Sequence, residues 1–172
     1  MTDSNQIPEY YVPFFPFEKK LSRLFTIKPA NVLTRPGQYK LITGCENEGD
    51  AEKVYLARYT FLWIGPFHFH IHIFHRSDMD RVMHDHPWNF CTIILRNGYI
   101  EHTPHYPGCD YTEVLLPLTA RWRPAKWRHR VELIDNQPAV TIMITGRKQH
   151  SWGFWEGEFF THWKDYFKKH RC

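Results

Sequence analysis

The sequence predicts an all-β fold, a sandwich or barrel of short antiparallel strands, on three observations. From residue 38 onward, short alternating or apolar stretches follow one another with no helical pattern between them: "YKLITG", "KVYLARYTFLWIG", "FHFHIHIFHRS", "NFCTIILRNGYIEH", "EVLLPL", "HRVELI" and "AVTIMITG". Gly, Pro and Asn break them at close intervals, the punctuation of sandwiches and barrels. Aromatic residues make up 17% of the chain, with thirteen Phe, nine Tyr and seven Trp, which suits an interior of large flat side chains.

A chain of 172 residues is enough for one domain with a sizeable core. Its texture divides it into an arm with a short helix over 1–37, a barrel over 38–155 and a C-terminal helix over 156–172. The arm is punctuated by prolines, and its Tyr10, Tyr11, Phe14 and Phe15 are expected to lie across the body. In "FEKKLSRLF", Phe17, Leu21, Leu24 and Phe25 recur at helical spacing. At the other end, "FFTHWKDYFKKH" puts Phe159, Phe160, Trp163, Tyr166 and Phe167 on one face, which predicts an amphipathic helix packed on the barrel. Asn97-Gly98, between two apolar strands, favours a two-residue hairpin. That turn would pair Ile93 with His102 and Cys91 with Pro104, so that Cys91, Ile93 and His102 share a face.

Composition excludes several classes of function. The formal net charge of +4 permits an acidic partner without compelling one, and no DNA-binding extension is recognisable, so nucleic acid is not expected. The four cysteines, Cys45, Cys91, Cys109 and Cys172, form no CxxC pair, which argues against a zinc knuckle or a thioredoxin-like motif. Their sparseness suits a reduced, cytoplasmic protein. The N-terminal stretch has no unbroken apolar run of the signal-peptide kind, and no run approaches the 18 residues of a membrane span.

The strongest chemical signal lies in "HDHPWNFCTIILRNG". Two positions apart on an extended strand, His84 and His86 point the same way and can chelate one cation. His129 in "RPAKWRHRVEL", at the start of another apolar strand, is the candidate third ligand. Imidazoles suit Fe(II), Zn, Cu or Ni better than the oxygen-seeking Mg or Ca.

At these residues the chain resembles the cupins. Their first motif runs His-x-His, four residues, Glu, about six residues, Gly; His84, His86 and Gly98 fall on it, with Cys91 at the Glu position. Their second motif is Pro-x-Gly-x-x-His, and Pro124 and His129 match its spacing with Lys126 in place of the glycine. With the strands around them the two motifs span roughly residues 60–146, and the stretches "FHRSDMDRVMHDHPWNF" and "ITGRKQHSWGF" are similar to small single-domain cupins of bacteria and phages. The resemblance implies a double-stranded β-helix, the cupin jelly roll, with a metal held by His84, His86 and His129. The loss of the Glu leaves a three-histidine site similar to that of thiol-oxidising cupin dioxygenases.

The expected function is therefore a mononuclear non-haem iron dioxygenase that uses O₂ on a small anionic substrate. Fe(II) is the expected metal, with Zn, Ni, Cu or Mn as alternatives. A metal-dependent isomerase or lyase on the same site, or a non-catalytic binding cupin, are the other readings, and a homodimer is expected by analogy with the family. Cys91 is either a soft thiolate ligand or a small packed hydrophobe, the commoner fate of a buried cysteine. His102 is a candidate fourth ligand or general base, or a hydrogen-bonded histidine with neither role. Trp88, Phe90 and Trp127 are expected to wall the site, and Arg123 and Arg128 to clamp an anionic group, although solvated cations on an outward face would give the same pattern. His68, His70 and His72 alternate with Phe and Ile and read as a surface strip or a dimer contact, ahead of partners that orient ligand imidazoles. Asp78, Asp80 and Arg81 form an ion-pair loop or the mouth of the site; they lack the Gly and closing Glu of a calcium loop.

Overall fold

Twelve strands and one helix follow one another among the residues described by the computed structural model, 38–43, 53–78, 82–105 and 109–171. The predicted arm and its helical stripe lie outside those residues, as do Cys45, Cys172, Asp80 and Arg81. In chain order the first six strands are β1 (Gln38–Thr43), β2 (Val54–Ile64), β3 (Phe67–Phe74), β4 (Met83–His84), β5 (Trp88–Arg96) and β6 (Tyr99–His105). The next six are β7 (Cys109–Leu115), β8 (Ala120–Arg123), β9 (Arg130–Leu133), β10 (Ala139–Lys148), β11 (Gly153–Glu156) and β12 (Phe159–His162), and the helix α1 spans Trp163–His170.

The strands form a six-stranded sheet, ordered β1-β2-β3-β10-β5-β8, and two three-stranded sheets, β7-β6-β9 and β12-β11-β4. An antiparallel bridge between His84 and His129 joins the two small sheets, with N–H···O bonds of 2.9 Å in both directions. The pairing is antiparallel throughout, and strands distant in sequence lie side by side, as in a jelly roll. All-β architecture follows from the alternation that the sequence displays.

Strand period decides what each face carries. On the inner face of the large sheet, Leu56, Phe74, Ile94 and Ala139 pack against Tyr99, Leu115, Val131 and Leu133 of the facing strands, closing one end of the interior. Further along the same face, cross-strand rows place Arg58, His72 and Thr141 together, then Thr60, His70, Met143 and Thr92, then His68, Thr145 and Phe90. The interior thus changes from apolar to polar along the strands. On the opposite face Tyr39, Ala57, Tyr59, Ile73 and Val140 form a second buried cluster. The histidine strip of β3 therefore faces inward, not to solvent, with His70 3% and His72 1% exposed.

Two other expectations are corrected. β5 and β6 do not pair; the neighbours of β5 are β10 and β8, and those of β6 are β7 and β9. A type I′ turn needs both central residues near left-handed helical angles, but Asn97 lies at φ 57° and Gly98 at φ 151°. The chain is thereby carried from one sheet to the other. Asn97 donates from Nδ2 to the Pro138 carbonyl at 2.6 Å, and a Cβ on Gly98 would meet the Leu115 carbonyl oxygen at 2.4 Å. The C-terminal segment is a hairpin before it is a helix: β11 and β12 pair around Gly157, at φ 61°, and only Trp163–His170 is helical. Phe159 and Phe160 are accordingly exposed. The helix docks through Tyr166, whose ring stacks on Phe154 at 3.8 Å, and through Trp163, which stacks on Trp152 at 5.9 Å.

Candidate metal centre

Three elements deliver three imidazoles to one point. His84 ends β4, His86 follows it two residues later, and His129 is the cross-strand partner of His84 just before β9. One ring nitrogen from each lies within 4.8 Å of the others. Between His84 and His86, Asp85 turns the opposite way: it is 2% exposed and accepts the Gly153 N–H at 2.9 Å. Gly153 must be glycine there, since a Cβ would sit 2.2 Å from the Thr161 carbonyl oxygen. The same contact fixes the edge that carries the two histidines, and Phe154, pressed by α1, lies 6.2 Å from the His84 ring.

The protonation of the cluster follows from its neighbours. Glu101, on the inner face of β6 and 2% exposed, accepts from His129 Nδ1 at 2.8 Å. Burial alone would raise the Glu101 pKa, but the hydrogen bond from His129 and the charge and hydrogen bonds of Arg123 bring it down to about 2. An ionised carboxylate can only accept, so His129 carries a proton on Nδ1, and Nε2 is the ring atom left to serve as a ligand. That Nε2 lies 2.8 Å from His86 Nε2. Burial first, then the neighbouring His129 and His84, hold the His86 pKa well below the usual imidazole range, so this ring is neutral at physiological pH.

The donor set fits a transition metal. Two nitrogens each about 2.1 Å from one cation and at right angles are about 3 Å apart, close to the 2.8 Å between the Nε2 atoms of His86 and His129. Three imidazoles suit Fe(II), Zn, Ni or Cu. Phe90 meets the cluster edge-on at 4.6 Å from His86 and 5.6 Å from His129, and Trp88 stacks on His86 at 6.4 Å. Both residues thus lie beside the cluster.

The other candidates lie elsewhere. Cys91 is on the outer face of β5, flanked by Ile144 and Trp122, while Phe90 and Thr92 face inward. His102 alternates outward on β6 and bonds through Nε2 to Glu132 at 2.8 Å. Arg123 is tied to Glu101 and Glu113, with its guanidinium 4.8 Å over Trp127. Arg128 lies over Trp155 at 3.6 Å and pairs with Glu158 at 3.2 Å. Trp127 and Arg128 line a separate cavity of about 190 Å³ with Thr103, Pro104 and Lys126. Asp78 stands 3.8 Å from His84 Nδ1 and accepts the Val131 N–H at 2.6 Å.

Sequence reasoning missed two polar residues of the interior. Glu101 gave no spacing signal, although the alternation Tyr99-x-Glu101-x-Thr103 puts it on the buried face. Arg58 did give one, as the only charged residue inside the apolar run of β2.

No family model and no curated protein matches the sequence. Solved structures with a similar fold include a candidate mannose-6-phosphate isomerase from Ralstonia eutropha JMP134, with 16% identity over 54% of this chain and 84% of that one, at a TM-score of 0.46. The hydroxypropylphosphonic acid epoxidase from S. wedmorenis is 7% identical over 67% of this chain and 58% of its own, at 0.47. A DMSP lyase structure is 13% identical over 53% of this chain and 47% of its own, at 0.43. Antiparallel strands in jelly-roll order close over an interior that carries His84, His86 and His129 together, the all-β barrel that the sequence predicts.

Proposed function

We propose that the protein is a metal-dependent cupin enzyme in which His84, His86 and His129 hold one divalent ion, Fe(II), for a dioxygenase reaction on a small anionic molecule. The observation that carries this reading is the convergence of the three ring nitrogens within 4.8 Å, with the His129 tautomer set by Glu101. A divalent iron held there would supply open coordination positions and one-electron chemistry. The chain's own residues do the rest. Glu101 keeps the His129 proton at Nδ1, burial keeps His86 neutral, and Phe90 and Trp88 exclude water from the face on which a substrate would lie. Among the described residues no group beyond the three imidazoles joins the cluster as a fourth ligand, and Cys91 and His102 face away from it.

Metal analysis of the purified protein, with reconstitution under anaerobic conditions, tests the site. One equivalent is expected in the wild type and none in His129→Ala. Failure to take up any metal after reconstitution would overturn the reading. O₂ consumption with thiols, amino acids and diketones then tests the reaction class, and metal-dependent turnover without O₂ uptake would replace the dioxygenase with an isomerase or lyase.

A further inference from the structure

The inner face of β2 carries a cation, Arg58, that no carboxylate among the described residues answers. Among the described residues, Arg121, Arg123, Arg128 and Arg130 each have a carboxylate within 4 Å, whereas the hydrogen bond of Arg58 runs from Nε to His72 Nε2, at 2.8 Å. His72 is 1% exposed, and burial, with the Arg58 charge beside it, holds its pKa well below the usual imidazole range; the acceptor is therefore neutral. A guanidinium taken out of water without a counter-charge is unfavourable, and Arg58 is correspondingly easier to deprotonate, its pKa lowered by burial to about 10.

Beside Arg58 lies a cavity of about 180 Å³, lined also by His68, His70, Trp88, Thr145 and Lys148. Among the described residues its lining holds two cationic side chains and no acid. His70 is fixed between two hydroxyls, Nδ1 to Thr60 at 2.9 Å and Nε2 to Thr145 at 3.4 Å. The indole N–H of Trp88 is buried and has no acceptor among the described residues. Trp88 is also the ring that stacks on His86, so it is common to this cavity and the three-histidine cluster. The volume is below the roughly 300 Å³ at which pockets for drug-sized ligands begin.

We propose that this cavity is an anion subsite, in which Arg58, helped by Lys148 and the Trp88 N–H, receives the carboxylate or phosphate group of a small substrate. Its role as a substrate subsite rests on the metal-enzyme reading above; its affinity for anions does not. Arg58 offers a planar fork matched to two oxygens of either group, Lys148 adds a second positive charge at the mouth, and the indole gives one oriented donor. The anionic end of the substrate is held here while its reacting end passes Trp88 toward His86. This replaces Arg123 and Arg128 as the anion clamp, since both are already occupied by Glu side chains.

The test titrates full-length protein, metal-free and metal-loaded, with sodium phosphate and with sodium acetate, against sodium chloride at matched ionic strength. Tryptophan fluorescence and calorimetry report binding, and metal content is measured separately on every sample. The wild type should bind at least one of the two anions saturably, and the tighter one identifies the class. Arg58→Met should weaken that binding at least about tenfold, Lys148→Ala and Trp88→Phe a few-fold each, and Arg58→Lys should keep part of it because a point charge remains. The lysine variant and Lys148→Ala keep the test decisive if Arg58→Met does not fold. No saturable binding beyond chloride, or equal binding by Arg58→Lys, Lys148→Ala and the wild type, overturns the subsite. Anion binding without metal uptake would overturn the metal reading and support the subsite; metal uptake without anion binding would do the reverse.

Discussion

Replacing Glu101 by Gln perturbs the metal site through a residue that is not among its proposed ligands. The carboxylate takes a hydrogen bond from His129 Nδ1 at 2.8 Å and, on its other oxygen, bonds from Arg123 Nε at 3.1 Å and from its terminal nitrogen. Gln has nearly the same shape but one acceptor oxygen, so either His129 or Arg123 must face an NH₂ group. Losing one charge-assisted hydrogen bond in a site 2% exposed costs about 1.5–3 kcal/mol. Arg123 also keeps only Glu113, 2.9 Å away, as a counter-charge, and unpairing part of a buried ion network can bring the total to about 3–5 kcal/mol. For the metal, a freed His129 can place its proton on Nε2, where the cation should be, and a loss of about 10–100-fold in affinity is expected. Chelator competition, read alongside urea unfolding of the metal-free protein, separates the two effects. A folded Glu101→Gln variant that binds metal within about twofold of the wild type would refute the argument that this carboxylate sets the His129 tautomer.

Other outcomes follow from the same geometry. His70 has its pKa lowered to about 3, mainly by burial, so as pH falls the unfolded chain takes up the proton first; its stabilisation is complete above pH 6.5 and is lost toward pH 3, at about 1.4 kcal/mol per pH unit. Urea unfolding of metal-free protein at pH 7, 6, 5 and 4 should show this loss beginning near pH 6.5, with His72 adding in the same direction and His70→Gln giving a shallower slope. Gly153→Ala sets a methyl against the Thr161 carbonyl and the Phe160 ring. It should cost about 3 kcal/mol, lowering Tm by roughly 6–12 °C in a calorimetric scan. Cys91→Ser and His102→Ala should leave metal affinity within about twofold of the wild type by the same chelator assay. His102→Ala should also lose no more than about 1 kcal/mol of stability, because its partner Glu132 is 44% exposed.

Legibility in the sequence tracked what each residue's neighbours are. The strands and the pair His84/His86 were visible because alternation is a local property, and the return of His129 was visible because its motif keeps a fixed spacing. The hairpin inference failed because Asn97-Gly98 fixes only a turn, while the partner of β5 is β10, some fifty residues on, chosen by matching apolar and polar rows. The histidines of β3 read as a surface strip or a dimer contact because two-sided alternation cannot say which face is inside when the outer face is apolar and buried as well. Phe159 and Phe160 fit a helical stripe by spacing, yet Gly157 turns that segment into a hairpin first. Glu101 and Arg58 owe their importance to partners 28 and 14 residues away, contacts that no local pattern encodes.

Position 91, where the motif that the sequence resembles carries a glutamate, is on the outer face of β5 here; the carboxylate of this interior stands at 101, one step back from the imidazoles. The difference has an electrostatic consequence. Glu101 and Glu113 are offset by Arg121 and Arg123 in one connected network, two acids against two guanidiniums. The three imidazoles contribute no charge of their own to an ion they hold. A divalent cation at that point would keep close to its full charge, and Arg58 adds another along the same interior face. A motif glutamate acting as ligand would have cancelled half of the metal's charge from within the protein. Asp78, 3.8 Å from His84 Nδ1, offsets part of that charge; the small acid proposed above as substrate would supply the rest, and the field of the site would favour it before any contact is made.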